Sequence, residues 1–290
     1  MNNQESKMTT IALTRHVIDE LTPLQGPGEA TSVARLVLED VFTWRRGSPP
    51  RTLDPDEQLL AWTTINRLKA REPVQYVTGI ADFYGLQLRV TPDVLIPRPE
   101  TEDLVEWILE ENPRDEDLNV LDIGTGSGCI PLALKARRPH WKCTGVDVSP
   151  AALEVARDNA AELQLDVTFE YYDALAPTDN GQPRTESLDL IVSNPPYILP
   201  SEKDRMGASV LAHEPALALF VPEDDPLVFY RRIAESASES LTTGGKLYFE
   251  TNEFNNDEVV LLLKSTGYAD VEARKDLGGK WRRVRGSWGG

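Results

Sequence analysis

Apolar residues along this chain change period twice, and the changes divide it. Over residues 8–72 the spacing is helical throughout. Ile11, Leu13, Val17, Ile18 and Leu21 recur at helical intervals and predict a helix that Pro23 ends. Val33, Leu36, Val37, Val41 and Phe42 predict a second helix over about Ala30–Trp44, followed by a Gly47-Ser48-Pro49-Pro50 loop. Asp54-Pro55 supplies an N-cap and a first-turn proline for a third, with Leu59, Leu60, Trp62, Ile65 and Leu68 as its apolar side. Alternation then replaces the helical period. Ala81–Val90 alternates around a glycine turn and predicts a hairpin. The prolines of Ile96-Pro97-Arg98-Pro99 hold the next stretch extended until Pro99 opens a helix to about Glu111.

From residue 118 apolar runs of strand length alternate with helical segments, which argues for a parallel α/β sheet. Strands are expected at Asn119–Ile123, Trp141–Val146, Val167–Tyr171, Leu188–Val192 and Lys246–Glu250. Helices are expected from Cys129, Pro150, Pro226 and Asn256. Tyr268–Ala273 and Trp281–Val284 predict an antiparallel ending. The polar stretch 176–186 reads as a loop, as does the long stretch from Tyr197 to Pro222. The organisation expected is a helical N-terminal domain (1–74), a hairpin linker (75–92) and an α/β sheet domain (93–290).

Charge narrows the possible partners. The formal net charge of -17 argues against a broad affinity for nucleic acid or anionic membrane. It is compatible with a basic protein partner or with adaptation to high salt. No run approaches 18 apolar residues, and Met1–Thr10 lacks the apolar core of a leader peptide. Cys129 and Cys143 form no Cys-x-x-Cys pair, so reduced thiols and a cytoplasmic location are expected. His16, His140 and His213 lie far apart, and no metal site is expected.

The chemistry concentrates at the ends of the expected strands. Leu188–Val192 runs into Ser193-Asn194-Pro195-Pro196-Tyr197. Neither proline can donate to a ladder, so the strand stops and Asn194 is left where open α/β sheets bind ligands. Asn194 Oδ1 and the Pro195 carbonyl can accept from a planar amide or amine, with Tyr197 as an aromatic wall. Gly124-Thr125-Gly126-Ser127-Gly128 follows the first strand. It has neither the dinucleotide spacing nor the Lys-Ser/Thr ending of a phosphate loop, and with Asp122 before it suits an amino-acid moiety. Asp147 ends the second strand, where a carboxylate can take both hydroxyls of a ribose. Asp173, after the third, can accept from an adenine amino group. Together these describe an S-adenosylmethionine pocket; singly, each acid is more often a helix cap or a solvated strand end.

The sequence resembles the Rossmann-like class I methyltransferases and, more closely, the peptide chain release factor N5-glutamine methyltransferases of the HemK type. The resemblance runs through Glu72–Gly79, Phe83-Tyr84-Gly85, Ile96–Glu102, Asp122–Ile130, Asp147-Val148-Ser149 with Asn159-Ala160, Ser193–Ile198 and His213–Leu219. It implies a seven-stranded Rossmann-like sheet and methyl transfer from S-adenosylmethionine to the glutamine side-chain nitrogen of a release factor's Gly-Gly-Gln motif. It implies a donor site of Asp122, Ile123, Gly124, Thr125, Gly126, Asp147, Asp173, Ala174 and Asn194. Asn194, Pro195, Pro196 and Tyr197 hold the acceptor, with Asn194, Pro195 and Tyr197 catalytic. A monomer without direct nucleic-acid binding is expected. The family often has a large residue where Ala174 stands, and Glu-Ile-Gly where Glu250-Thr251-Asn252 stands. The latter segment is left out of the expected site. Asn-Pro-Pro-Tyr is shared with adenine-N6 DNA methyltransferases, so a nucleic-acid enzyme is the alternative, beside methylation of another protein glutamine or a non-catalytic cofactor-binding protein.

Overall fold

A computed structural model describes residues 8–112, 116–176 and 187–290. Most of the loop expected at 176–186, and the start of the chain before residue 8, lie outside the described residues. Among the described residues two compact units are present: those of 8–80 with 207–213, and those of 81–206 with 214–290.

The first unit is helical. Helix α1 (Thr10–Gln25) buries Leu13, Val17 and Leu21, and the Thr9 hydroxyl caps its first turn. Pro23 does not end it, contrary to expectation. The proline lies so near the end that it costs only one intrahelical bond, and Gly26 at φ +84° makes the break. Helix α2 (Pro27–Leu36) begins earlier than expected and passes into a π-turn over Val37–Val41. Helix α3 (Pro55–Lys69) is set by a reciprocal capping box between Asp54 and Glu57. Its core face is Ala61, Thr64, Ile65 and Leu68. Leu59, Leu60 and Trp62, expected inside, are exposed, because a stripe through Ala61 and Ile65 turns them outward. Helix α4 (Val74–Thr78) was not legible, being too short to show a period. Arg67 holds it: the guanidinium chelates Glu72 and donates to the Tyr76 and Val77 carbonyls (2.9 and 3.2 Å).

The hairpin joins β1 (Ile80–Phe83) to β2 (Leu86–Arg89) through Tyr84-Gly85, both at positive φ. Helix α5 (Pro99–Glu111) follows. Then come β3 (Asn119–Ile123), α6 (Cys129–Arg137), β4 (Lys142–Asp147), α7 (Pro150–Leu163), β5 (Val167–Tyr171) and β6 (Leu188–Ser193). The chain returns through α8 (Ala208–His213), α9 (Val228–Ser240), β7 (Leu241–Glu250), α10 (Asn256–Thr266), β8 (Tyr268–Lys275) and β9 (Trp281–Trp288). Among the described residues these strands form a seven-stranded sheet of order β5-β4-β3-β6-β7-β9-β8. The first five are parallel; β9 pairs antiparallel with β7 and β8.

Alternation along β3 builds a core on each face. Val120 packs with Trp107, Leu132 and Leu153 on one side; Leu121 and Ile123 pack with Tyr230, Ile233 and Val259 on the other. The stretch expected to be a long loop after Tyr197 is largely structured. It holds a 3₁₀ turn at Pro200–Arg205, helix α8 and a second 3₁₀ turn at Ala216–Ala218, with Ile198 bridged to Phe220. Elements of three to six residues are too short to show a hydrophobic period. Strand β7 starts at Leu241 rather than Lys246, because Gly244-Gly245 lies in an irregular stretch of the strand rather than before it. No helix among the described residues is long and apolar enough to cross a membrane.

Candidate active site

The chain moves outward from β3 to β4 and β5, then returns to place β6 on the other side of β3. That reversal opens a crevice at the strands' carboxyl ends. A cavity of about 330 Å³ lies there. Ile123, Gly124 and Gly126 form one wall, and Asn194, Pro195 and Pro196 another. Asp147, Asp173, Ala174, Tyr172 and Phe229 line the rest, with Leu217 and Ala218 nearby.

The glycine turn is shaped by β4. Gly124 and Thr125 both donate to the Val146 carbonyl (2.9 Å each). Gly124, Gly126 and Gly128 take φ of +78°, +54° and +80°. A Cβ on Gly124 or Gly126 would meet nothing within 4 Å, so their bare backbone faces open cavity. Gly128 is different: a Cβ there would press on Phe169 and Leu132 at 3.0 and 3.1 Å. The Gly126 and Ser149 N–H groups donate to the two oxygens of Asp147 (2.9 Å each), tying the turn to the end of β4. Burial pushes the Asp147 carboxyl up, and these backbone donors oppose the shift. Asn159 ties the turn from behind, donating to the Ser127 and Arg89 carbonyls (2.9 and 3.0 Å).

Asp122 does not line the cavity. It is fully buried beneath the turn, and among the described residues neither carboxyl oxygen finds a hydrogen-bond partner. Burial pushes its carboxyl up to about 7; the nearby Thr125 hydroxyl lowers it and Asp147 adds to the rise. Thr125 is buried beside it.

At the other wall the Asn194 amide is held from below. Asn194 Nδ2 donates to Thr101 Oγ1 (3.2 Å), and Thr101 Oγ1 donates to Glu250 Oε2 (2.6 Å). Tyr197 is outside the cavity wall: its ring packs on the core over β6 and its hydroxyl donates to Glu250 Oε1 (3.4 Å). Glu250, omitted from the expected site, is thus joined to both Asn194 and Tyr197. The stretch Pro97–Glu102 does reach the site through Thr101. Arg98, by contrast, is paired with buried Glu214 (2.6 Å), which also accepts from Ile96 N–H (3.4 Å). Tyr172 and Phe229 were not anticipated either, since nothing in spacing marks an aromatic residue of α9 as a wall of this cavity.

A parallel sheet reversed at this crevice, with a glycine turn on one wall and Asn-Pro-Pro on the other, defines a Rossmann-like methyltransferase. The chain is 49% identical over 218 residues to the release factor glutamine methyltransferase of Bacteroides thetaiotaomicron, covering 75% of this chain and 77% of that one. It belongs to the family of release factor glutamine methyltransferases. The Deinococcus radiodurans relative of that name is 39% identical over 256 residues, covering 87% and 89%. Residues 101–217 match the methyltransferase small domain model, and residues 13–79 the PrmC N-terminal domain model. Among solved structures, the Thermus thermophilus 16S rRNA N2 G1207 methyltransferase RsmC, in complex with AdoMet and guanosine, shares the fold at a TM-score of 0.52. It is 19% identical and covers 72% of this chain and 49% of that one.

Proposed function

We propose that this chain transfers a methyl group from S-adenosylmethionine to the side-chain amide nitrogen of the glutamine in a release factor's Gly-Gly-Gln motif. One observation carries the reading: in a chain of this family, Asn194 and Pro195 share a single cavity with the glycine turn and Asp147.

The residues fit the methyl donor. The bare backbone of Gly124 and Gly126 leaves room for its amino-acid end. Asp147 is held by two backbone donors, which supports its role as the acceptor for ribose hydroxyls. Asp173 suits an adenine amino group, with Tyr172, Ala174 and Phe229 supplying apolar surface where the family often has one large residue. Asp122 and Thr125 support the turn from beneath. When bound, the donor supplies an electrophilic methyl group on a sulfonium.

The remaining work falls to the protein. An amide nitrogen is a poor nucleophile because its lone pair is delocalised into the carbonyl. Asn194 Oδ1 accepts one N–H of the acceptor amide and the Pro195 carbonyl accepts the other, which favours electron density on nitrogen and aims it. Pro196 stiffens that strand end. Tyr197, anchored on Glu250 outside the cavity wall, braces the loop that carries Asn194. The protein acts as a monomer in the cytoplasm, its Cys129 and Cys143 unpaired, with a protein rather than a nucleic acid as acceptor.

Mass spectrometry of a purified release factor after incubation with the protein and labelled donor tests this. One added methyl on the Gly-Gly-Gln glutamine is expected. Label in DNA or RNA, with none in the release factor, overturns the reading.

A further inference from the structure

We infer that Thr101 and Glu250 are positioning residues that dictate which end of the Asn194 amide faces the acceptor. The inference rests on the proposed reading of the site. An asparagine amide is nearly symmetric in shape, but its two ends have opposite hydrogen-bonding roles. With Oδ1 toward the cavity it accepts from an incoming amide. Turned over, it would aim two N–H donors at another N–H.

A threonine hydroxyl has one proton and two lone pairs. Thr101 gives its proton to Glu250 Oε2 at 2.6 Å, within a pocket where Glu250 is 1% exposed. Only a lone pair remains for Asn194, at 3.2 Å, so only the NH2 end of Asn194 can meet it. Oδ1 is thereby committed to the cavity. The other oxygen of Glu250 takes the Tyr197 hydroxyl, so one buried carboxylate sets the direction of both hydrogen bonds. Thr101 on α5, Asn194 and Tyr197 in the loop after β6, and Glu250 at the end of β7 make one directed network.

The direction requires an ionised Glu250. Burial pushes its carboxyl up to about 7; Thr101, Arg282 and the Tyr197 hydroxyl oppose this, and Glu100 adds to it. Cys129 and Tyr230 are the other titratable groups that feel its charge, and the Tyr230 hydroxyl donates to the Glu250 backbone carbonyl (3.2 Å). Once protonated, the carboxyl can donate to Thr101, freeing the Thr101 proton to turn toward Asn194.

The test compares wild type, Thr101→Val and Thr101→Ser in methyl transfer to a release factor, with donor binding followed by calorimetry. Valine keeps the shape and removes the hydroxyl. The expected result is a kcat lower by about a hundredfold, with KM for both substrates and donor Kd unchanged, and recovery of most of the rate in Thr101→Ser. Should Thr101→Val fail to fold, the pH profile of kcat decides. Wild type loses kcat as pH falls through about 7, whereas Glu250→Gln is slow and lacks that acid limb. Wild-type kcat in Thr101→Val or Glu250→Gln, a loss confined to KM, or no acid limb in wild type overturns the inference. An inert wild type instead overturns the proposed function, and this inference with it.

Discussion

Replacing Asn194 by alanine removes an acceptor and little else, because among the described residues its side chain makes a single hydrogen bond, to Thr101. Turnover is expected to fall by about a hundred- to a thousandfold, the usual loss for one preorganised partner of a reacting group. Donor affinity in calorimetry should change little, since the glycine turn and Asp147 remain. Asp122 makes a separate, pH-dependent prediction. Its ordinary value is 3.8 and burial raises it to about 7 in the fold. Between those values the native state holds a proton that the unfolded chain has released, so this group lowers stability as pH rises through that window. Relative to wild type, Asp122→Asn should therefore gain stability from about pH 4 to about pH 7 and stay level above it, as read by urea denaturation across pH. Both residues were visible in sequence as polar groups at the ends of apolar runs. Their surroundings were not: whether Asp122 meets water or a dry pocket depends on what packs beneath the turn.

At the scale of elements, the segment leading into α5 is held by a pair from distant motifs. Arg98 donates to Glu214, whose side chain is 1% exposed, while Arg98 keeps 33% of its own exposure. Arg98→Ala leaves that carboxylate unpaired apart from the long bond from Ile96 N–H. The expected cost is about 2 kcal/mol, at the low side for a broken buried pair because water reaches Arg98. Denaturant titration checks it, and Arg98→Lys should recover part of the loss. The pairing keeps Arg98 on Glu214 rather than at the cavity wall. Strong local signals carried the element map: the Asp54-Pro55 start of α3, the Ser149-Pro150 start of α7 and the Tyr84-Gly85 turn. Short elements escaped, as α4 and α8 did, because five or six residues cannot display a helical period.

Over the whole molecule, the net charge of -17 sets up self-repulsion that salt relieves. The melting temperature should rise from low to molar salt; no rise would remove salt adaptation as the meaning of the acidic excess. Exposed pairs such as Arg35–Glu39 are too weak to reverse that trend. The sequence by itself determined the helical front, the alternating α/β order and the antiparallel ending, since each follows from period and punctuation along the chain. It also marked the glycine turn, Asp147 and Asn194, whose chemistry is local to strand ends. Only the tertiary structure joined Glu250 and Thr101 to Asn194, turned Tyr197 onto Glu250, and brought Phe229 to the cavity wall. Those relations depend on which strands and helices become neighbours in the sheet, and a hydrogen bond between residues 149 positions apart leaves no periodic trace in the chain.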